Sequence, residues 1–130
     1  MKRREIIQGV AAAIPIVLAS DLLGAKAPSE TLNLAGVGIG GMGANYLKEL
    51  SSQNIVALAD VDSKFAAKTF SQYPKAQRYE DFRILLEKEK HIDGVVIGTP
   101  DHTHASIALA AMDLGKHVYC AKPMTRTIAE

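Results

Sequence analysis

The sequence predicts an α/β domain built on a doubly wound parallel sheet, and three observations lead to that prediction. Short apolar runs alternate strictly with helical stretches from residue 31 onward. The run at 92–98 (IDGVVIG) is apolar nearly throughout and rich in β-branched residues, as in strands buried on both faces. The first apolar run ends in a cluster of glycines. Such alternation predicts right-handed crossovers and a three-layer α/β/α architecture.

Strands are predicted wherever a short apolar run is bounded by turn residues. They fall at 31–37, 54–60, 76–79, 92–98 and 116–121. Helices are predicted at 41–51, at 63–73, after Asp81, and at 104–114. Pro74 closes the second helix, Asp81 can cap the third, and Gly115 stops the fourth. Each predicted helix therefore connects two strands.

Composition excludes some classes of function. The chain has 130 residues with a formal net charge of +1, so bulk charge gives no case for binding nucleic acid or a membrane surface. Its one cysteine, Cys120, cannot form an internal disulfide. Because Cys120 lies in an apolar strand, we interpret it as a small core residue and not as a nucleophile.

Residues 1–27 have the pattern of an export signal, which we expect to form a short helix ahead of the domain at 28–130. Arg3 and Arg4 precede a weakly apolar stretch at 9–19, and small residues follow it. That stretch is shorter than the roughly 20 residues of a transmembrane helix, so no stable membrane insertion is expected. The paired arginines resemble a twin-arginine signal and favour a periplasmic location. An amphipathic or buried amino-terminal helix is the alternative.

A glycine-rich turn follows the first predicted strand. Gly38, Gly40 and Gly43 fit G-x-G-x-x-G, with Gly41 and Met42 between them. In this pattern the first glycine permits the tight turn, the second lets the backbone approach a pyrophosphate, and the third lets the helix pack near the sheet. The helix amino terminus offers free N–H groups to the phosphates. The strand–turn–helix context predicts a Rossmann-type dinucleotide site.

The second predicted strand ends in an acid, Asp60, 20 residues after Gly40. A carboxylate there can accept hydrogen bonds from the adenosine ribose, and its charge would repel a 2′-phosphate. NAD is therefore favoured over NADP. A solvated loop acid is the alternative for Asp60, and Asp62 is expected to cap the following helix instead.

Two further polar clusters follow strands four and five, at the edge where open α/β sheets bind ligands. The first is Gly98 to His104 (GTPDHTH), and the second contains Lys122 before Pro123. His102 and His104 have the spacing of a metal pair, but no cysteine or third histidine lies nearby, so no metal is predicted. Lys122 could contact the cofactor ribose or take part in proton transfer, although a lysine before proline is often a solvated turn residue.

The ordered segments LAGVGIGGMG, ALADVD and VVIGTPDHTHASIALAAMDLGKHVYCAKPMT resemble the amino-terminal half of the Gfo/Idh/MocA oxidoreductases. The resemblance covers residues 31–130. It implies that the glycines hold the pyrophosphate and Asp60 the ribose. It further implies that Thr99, Pro100, Asp101 and His104 line the cofactor. Lys122 matches the lysine beside nicotinamide and substrate, which makes it the candidate catalytic residue.

The resemblance implies an NAD-dependent oxidoreductase acting on the hydroxyl of a sugar or cyclitol. Two departures matter. Ala121 stands where the family usually has glutamate, so we expect weakened cofactor geometry or altered activity. The family also continues into a substrate domain that carries its oligomer interface, whereas this sequence ends at Glu130. We therefore expect an incomplete domain, with homo-oligomers only in a full-length form. A non-catalytic nucleotide-binding fragment and an NAD-dependent glycosidase are the alternatives.

The export hypothesis is tested by replacing both arginines, Arg3→Lys and Arg4→Lys. We expect the double variant to stay in the cytoplasm, because the twin-arginine route reads the arginine pair and not charge alone. Cell fractionation measures the periplasmic share, with Lys2→Arg as a control exchange outside the pair. Unchanged export of the double variant would contradict the hypothesis.

Overall fold

The computed structural model describes residues 31–130, and the predicted signal segment lies outside the described residues. Strands and helices alternate in chain order. They are β1 (Asn33–Val37), α1 (Met42–Glu49), β2 (Asn54–Ala59), α2 (Ala67–Gln72), β3 (Gln77–Tyr79), α3 (Phe82–Lys88), β4 (Gly94–Ile97), α4 (Asp101–Asp113) and β5 (His117–Cys120). In this part of the chain, no helix has the length and apolar character needed to cross a bilayer.

The five strands form one parallel sheet in the order β3-β2-β1-β4-β5. The chain winds outward from β1 to β3, and then crosses to β4 on the other side of β1. This reversal places a switch point between β1 and β4, where the connecting loops leave in opposite directions and open a crevice. The predicted doubly wound parallel sheet is thus confirmed.

Two apolar clusters cover the two faces of the sheet and give it three layers. On one face, Ala35 and Val37 of β1 belong to a cluster with residues of α3 and α4, such as Leu85 and Ile107. On the other face, Leu34 belongs to a cluster that includes Leu47 of α1. Side chains alternate across each strand, so β1 contributes to both clusters and is buried on both sides.

Two helix starts differ from the prediction by more than one residue. Helix α2 begins at Ala67 and not at residue 63, because a turn precedes it in which Asp62 Oδ1 accepts hydrogen bonds from the N–H groups of Lys64 and Phe65. Asp62 therefore caps that turn and not the helix. The N-cap of α2 is Ala66, with no side-chain cap hydrogen bond, so the expectation that Asp62 caps the helix is wrong. Helix α4 begins at Asp101 and not at His104. The sequence pattern does not indicate this first turn, because the turn is polar and shows no apolar periodicity.

The amino terminus of helix α1 approaches the sheet through backbone alone. A β-carbon on Gly98 would lie 2.5 Å from Gly43 Cα, and one on Gly43 would overlap the carbonyl oxygen of Gly38. Gly43 is itself buried. The third glycine of the motif thus brings the helix amino terminus close to β1 and β4, as its position in the motif predicts.

Replacing Gly43 by alanine should therefore destabilise the fold. The new methyl group meets main-chain atoms that cannot rotate away, and we expect the free energy of unfolding to fall by about 3 kcal/mol. Gly41→Ala is the matched control, since its β-carbon would meet only Phe65, at 3.8 Å. That substitution should cost less than about 1 kcal/mol. Urea denaturation measures both values, and equal losses would show that the close approach is not what constrains Gly43.

Candidate functional site

The loops after four strands begin in one row at the carboxyl edge of the sheet. The N–H of Gly38 donates to Ala59 O, and that of Gly98 donates to Val37 O, each at 2.9 Å. The N–H of Ala121 donates to Ile97 O at 2.9 Å, and that of Asp60 to Tyr79 O at 3.1 Å. These bonds extend the ladder of the sheet by one residue. The first residue of each loop is therefore held by backbone, whatever its side chain.

A cavity of about 760 Å³ lies along this row, and we call it the edge cavity. It contains nearly all of the residues that the sequence predicts for a cofactor site. Those that line it are Gly38, Gly40, Gly41, Met42, Asp60, Thr99, Pro100, Asp101, His104 and Lys122. Gly43 does not line it and lies buried under the loop. Residues from distant parts of the sequence thus meet at the switch point of the sheet.

The glycine loop, residues 38–43, presents backbone to the edge cavity. Gly38 has φ +75°, a conformation that side chains rarely allow, and a β-carbon there would lie 2.5 Å from Thr99 Cγ2. Helix α1 follows with Gly41 as its N-cap, and no side chain caps it. The first-turn N–H groups of an uncapped helix are open to an anion, so this end of the edge cavity can bind phosphate.

Asp60 holds the glycine loop in place. Its Oδ2 accepts hydrogen bonds from the N–H groups of Ile39, at 2.8 Å, and Gly40, at 3.1 Å. Its Oδ1 accepts one from the N–H of Asp62 at 2.9 Å. An ionised carboxylate has about four acceptor positions, so one remains on Oδ1. Asp60 lines the edge cavity, and this acceptor position suits a ribose hydroxyl.

Phe65 is a cavity residue that the sequence did not indicate. The helix predicted at 63–73 includes it, but it lies on the turn before α2 and is 65% exposed. Its ring lies over Gly40, where it occupies the position a β-carbon of that glycine would take. Val61, 88% exposed, lines the cavity on the same turn. An exposed apolar side chain of this size often marks a binding site. The sequence alone does not indicate that Phe65 is exposed here, because its position depends on the turn before α2.

The loop after β4 is tied down by its own side chains. The hydroxyl groups of Thr99 and Thr103 lie 2.8 Å apart, and Thr103 Oγ1 also lies 2.8 Å from Pro100 O. Pro100 is the N-cap of α4, and Asp101 is exposed in the first turn. A carboxylate there suits the positive end of the helix dipole. No side-chain cap hydrogen bond is made at this helix start, and the contact between Thr99 and Thr103 links the loop to the first turn of α4.

His104 lines the edge cavity but points its polar atoms inward. Its side chain is 1% exposed, with Nδ1 2.6 Å from Pro123 O and Nε2 2.7 Å from Thr99 O. Both ring nitrogens thus have backbone partners, and direct contact of His104 with a cofactor stays a prediction. His102 is exposed. Residues 31–130 contain no group of three or more His, Cys, Asp or Glu residues placed to hold a metal ion.

Lys122 reaches the edge cavity from the loop after β5. It is exposed, and Ala121 beside it is half-buried with its N–H bonded to Ile97 O. The effect of the alanine at this position stays a prediction. Burial raises the pKa of the neighbouring Cys120 thiol, which keeps it protonated and weakly nucleophilic at neutral pH. This agrees with Cys120 as a core residue, and leaves Lys122 as the ionisable group that the β5 loop brings to the cavity.

The residues present fit a dinucleotide. An uncapped helix end with a glycine loop suits the phosphates, and the free acceptor position of Asp60 suits a ribose. A volume of about 760 Å³ is in the range of cofactor sites. The cavity continues from Asp60 across the switch point to Lys122. These features define a dinucleotide-binding Rossmann domain.

The chain belongs to the Gfo/Idh/MocA oxidoreductase family, which has an NAD-binding Rossmann fold and whose pattern residues 32–130 match. This confirms the resemblance inferred from the sequence. It also confirms NAD as the cofactor of the family to which the chain belongs.

Named relatives agree with the family. Inositol 2-dehydrogenase of Salmonella paratyphi B is 32% identical over 105 residues, which cover 77% of this chain and 31% of that protein. A glycosyl hydrolase family 109 protein of Stenotrophomonas maltophilia is 36% identical over 137 aligned residues, which cover 92% of this chain and 29% of that protein. The chain therefore spans about a third of the length of the curated relatives it matches.

A solved structure shows the same fold. The scyllo-inositol dehydrogenase of Lactobacillus casei, solved with NAD(H) and scyllo-inositol bound, superposes with a TM-score of 0.68. It is 23% identical, and the match covers 76% of this chain and 30% of that chain. The shared part is thus the sheet and helices described above.

The contact between Phe65 and the glycine loop is tested by a pair of substitutions. Gly40→Ala should lower the free energy of unfolding by about 1 kcal/mol, because the ring of Phe65 has to swing away from the new methyl group. In a Phe65→Ala background the same substitution should have no measurable effect on stability. Denaturation of the four proteins gives the coupling, and an equal cost in both backgrounds would contradict this contact.

Proposed function

We propose that this chain binds NAD in the edge cavity and forms the cofactor domain of an oxidoreductase acting on a cyclitol or sugar hydroxyl. One observation carries the proposal. The uncapped end of α1, Asp60 and Lys122 line one continuous cavity at the switch point of a sheet that belongs to an NAD-binding family. Ligands of open α/β sheets bind at this point.

The adenosine end of the cofactor would lie between the glycine loop and Asp60. First-turn N–H groups of α1 would bind the pyrophosphate, which needs donors without a competing side-chain cap. The remaining acceptor position on Asp60 Oδ1 would take one ribose hydroxyl. Because the bonds from Ile39 and Gly40 go to Asp60 Oδ2, a ribose bound at Oδ1 leaves in place the loop that holds the phosphates.

The reacting end would lie between the loop at Thr99 and Lys122. Bound NAD supplies the hydride acceptor. Lys122 would hold the proton that leaves the substrate hydroxyl, since its amine is the ionisable group of the β5 loop in the cavity. Its exposure leaves room above the cavity for a substrate.

The substrate class follows from the named relatives. Inositol 2-dehydrogenase carries its substrate in its name, and a polyol with several equatorial hydroxyls is a small polar ligand that a lysine can hydrogen bond. We infer a small carbohydrate or cyclitol as the partner, with homo-oligomers belonging to a full-length form.

An NAD-dependent glycosidase is the second candidate. It is favoured by the match to a glycosyl hydrolase family 109 protein, whose 92% coverage is the broader of the two reported relatives. Cyclitols and sugars screened with NAD for reduced cofactor support the oxidoreductase. Sugar released from a glycoside without net reduction of NAD supports the glycosidase.

Export by the twin-arginine route to the periplasm belongs to the same proposal. That route carries folded proteins, and a protein that keeps its dinucleotide must fold around it in the cytoplasm. The support is the arginine pair Arg3 and Arg4 ahead of an apolar stretch.

Cofactor choice gives the direct test. The wild-type protein should bind NAD at least about tenfold more tightly than NADP, because the Asp60 carboxylate repels a 2′-phosphate. Asp60→Asn should narrow that ratio towards one. Asp62→Asn is the matched control, with the same loss of charge two residues away and outside the edge cavity. Isothermal titration calorimetry measures the six dissociation constants, those of NAD and NADP for each of the three proteins. If the wild-type protein binds neither NAD nor NADP, the proposed function is refuted.

A further inference from the structure

His104 is one of few buried polar side chains in the described part of the chain, and it occupies a special place. It lies in the first turn of α4, 1% exposed, between the loop that follows β4 and the loop that follows β5. Those two loops carry Thr99 and Lys122. They come from neighbouring strands and form the same end of the edge cavity.

The ring of His104 joins the two loops through their main chains. Nδ1 lies 2.6 Å from Pro123 O, and Nε2 lies 2.7 Å from Thr99 O. Carbonyl oxygens only accept hydrogen bonds, so each contact is a bond when that nitrogen carries a proton. A doubly protonated ring makes both bonds, and either neutral tautomer makes one. Every state of the ring therefore ties helix α4 to at least one of the loops.

The two carbonyls belong to residues that matter for the site. Thr103 holds Thr99 at its side-chain hydroxyl. A bond from His104 holds the same residue at its main-chain carbonyl oxygen. Pro123 directly follows Lys122, whose side chain is exposed and shows no hydrogen bond of its own in the described structure. The direction in which Lys122 leaves the loop thus depends on how the neighbouring carbonyl is held.

We propose that His104 is a positioning residue that clips the Lys122 loop to the Thr99 loop and so shapes the nicotinamide end of the edge cavity. It acts through main-chain atoms and does not touch the cofactor. The adenosine end, built by the glycine loop and Asp60, does not depend on it, since Asp60 and the loop are bonded to each other. This inference rests on the proposed NAD-binding function.

The difference between the two ends of the cavity gives the experiment. ADP-ribose carries the adenosine, pyrophosphate and second ribose of NAD but lacks nicotinamide. We expect His104→Leu to lower the affinity for NAD relative to ADP-ribose by about tenfold, the scale of one lost hydrogen bond. His104→Gln keeps an N–H donor and should restore part of that ratio. His117→Leu, at an exposed histidine on β5, is the control and should leave the ratio unchanged.

A second readout needs no ligand. Amide hydrogen exchange of residues 121–127 in the ligand-free protein should speed up by about tenfold in His104→Leu, while β1 and β4 keep their protection. The proposal is overturned if His104→Leu leaves the exchange of residues 121–127 unchanged. It is also overturned if this variant loses the same affinity for NAD as for ADP-ribose. Failure of the wild-type protein to bind either ligand refutes the proposed function instead, and the exchange result then still decides whether the clip exists.

Discussion

The close approach of helix α1 to the sheet is the constraint on which the site depends. Gly43 lies against the carbonyl of Gly38 and close to Gly98, with no side chain between them. Only that approach brings the helix tip level with the carboxyl ends of β1 and β4. A side chain at Gly43 or Gly98 would push the helix away from the sheet, and the N–H groups of its first turn would move with it. Packing therefore positions the anion site, and the dipole of helix α1 favours negative charge at the position that packing has set.

Asp60 combines a structural and a binding role in one carboxylate. Three backbone N–H groups already bond to it, and two of them belong to the loop that has to meet the phosphates. A buried donor left without a partner is costly, so this acid is needed even before any ligand arrives. The loop is therefore preorganised, and less ordering remains to be done when a dinucleotide binds.

The fold and much of the site follow from local pattern, and the rest does not. Glycines at 38, 40 and 43 and an acid at 60 are readable because their spacing is set by one strand, one turn and one helix. The start of α2 was missed because Asp62 holds a separate turn ahead of it. The position of Phe65 over Gly40 and the partners of His104 were missed for another reason. They depend on how distant loops meet, and no sequence period records that.

The floor of the edge cavity is made of main chain, since Gly38, Gly98 and Ala121 are held there by bonds between peptide groups. Such a floor is indifferent to most changes of side chain. Side chains at the rim can therefore be substituted during evolution, and the cavity can bind new ligands, while the main-chain bonds of the floor stay the same. Mutational tolerance in this domain is thus divided by position. Gly38, Gly43 and Gly98 meet backbone and do not tolerate a side chain, whereas the exposed rim residues tolerate substitution.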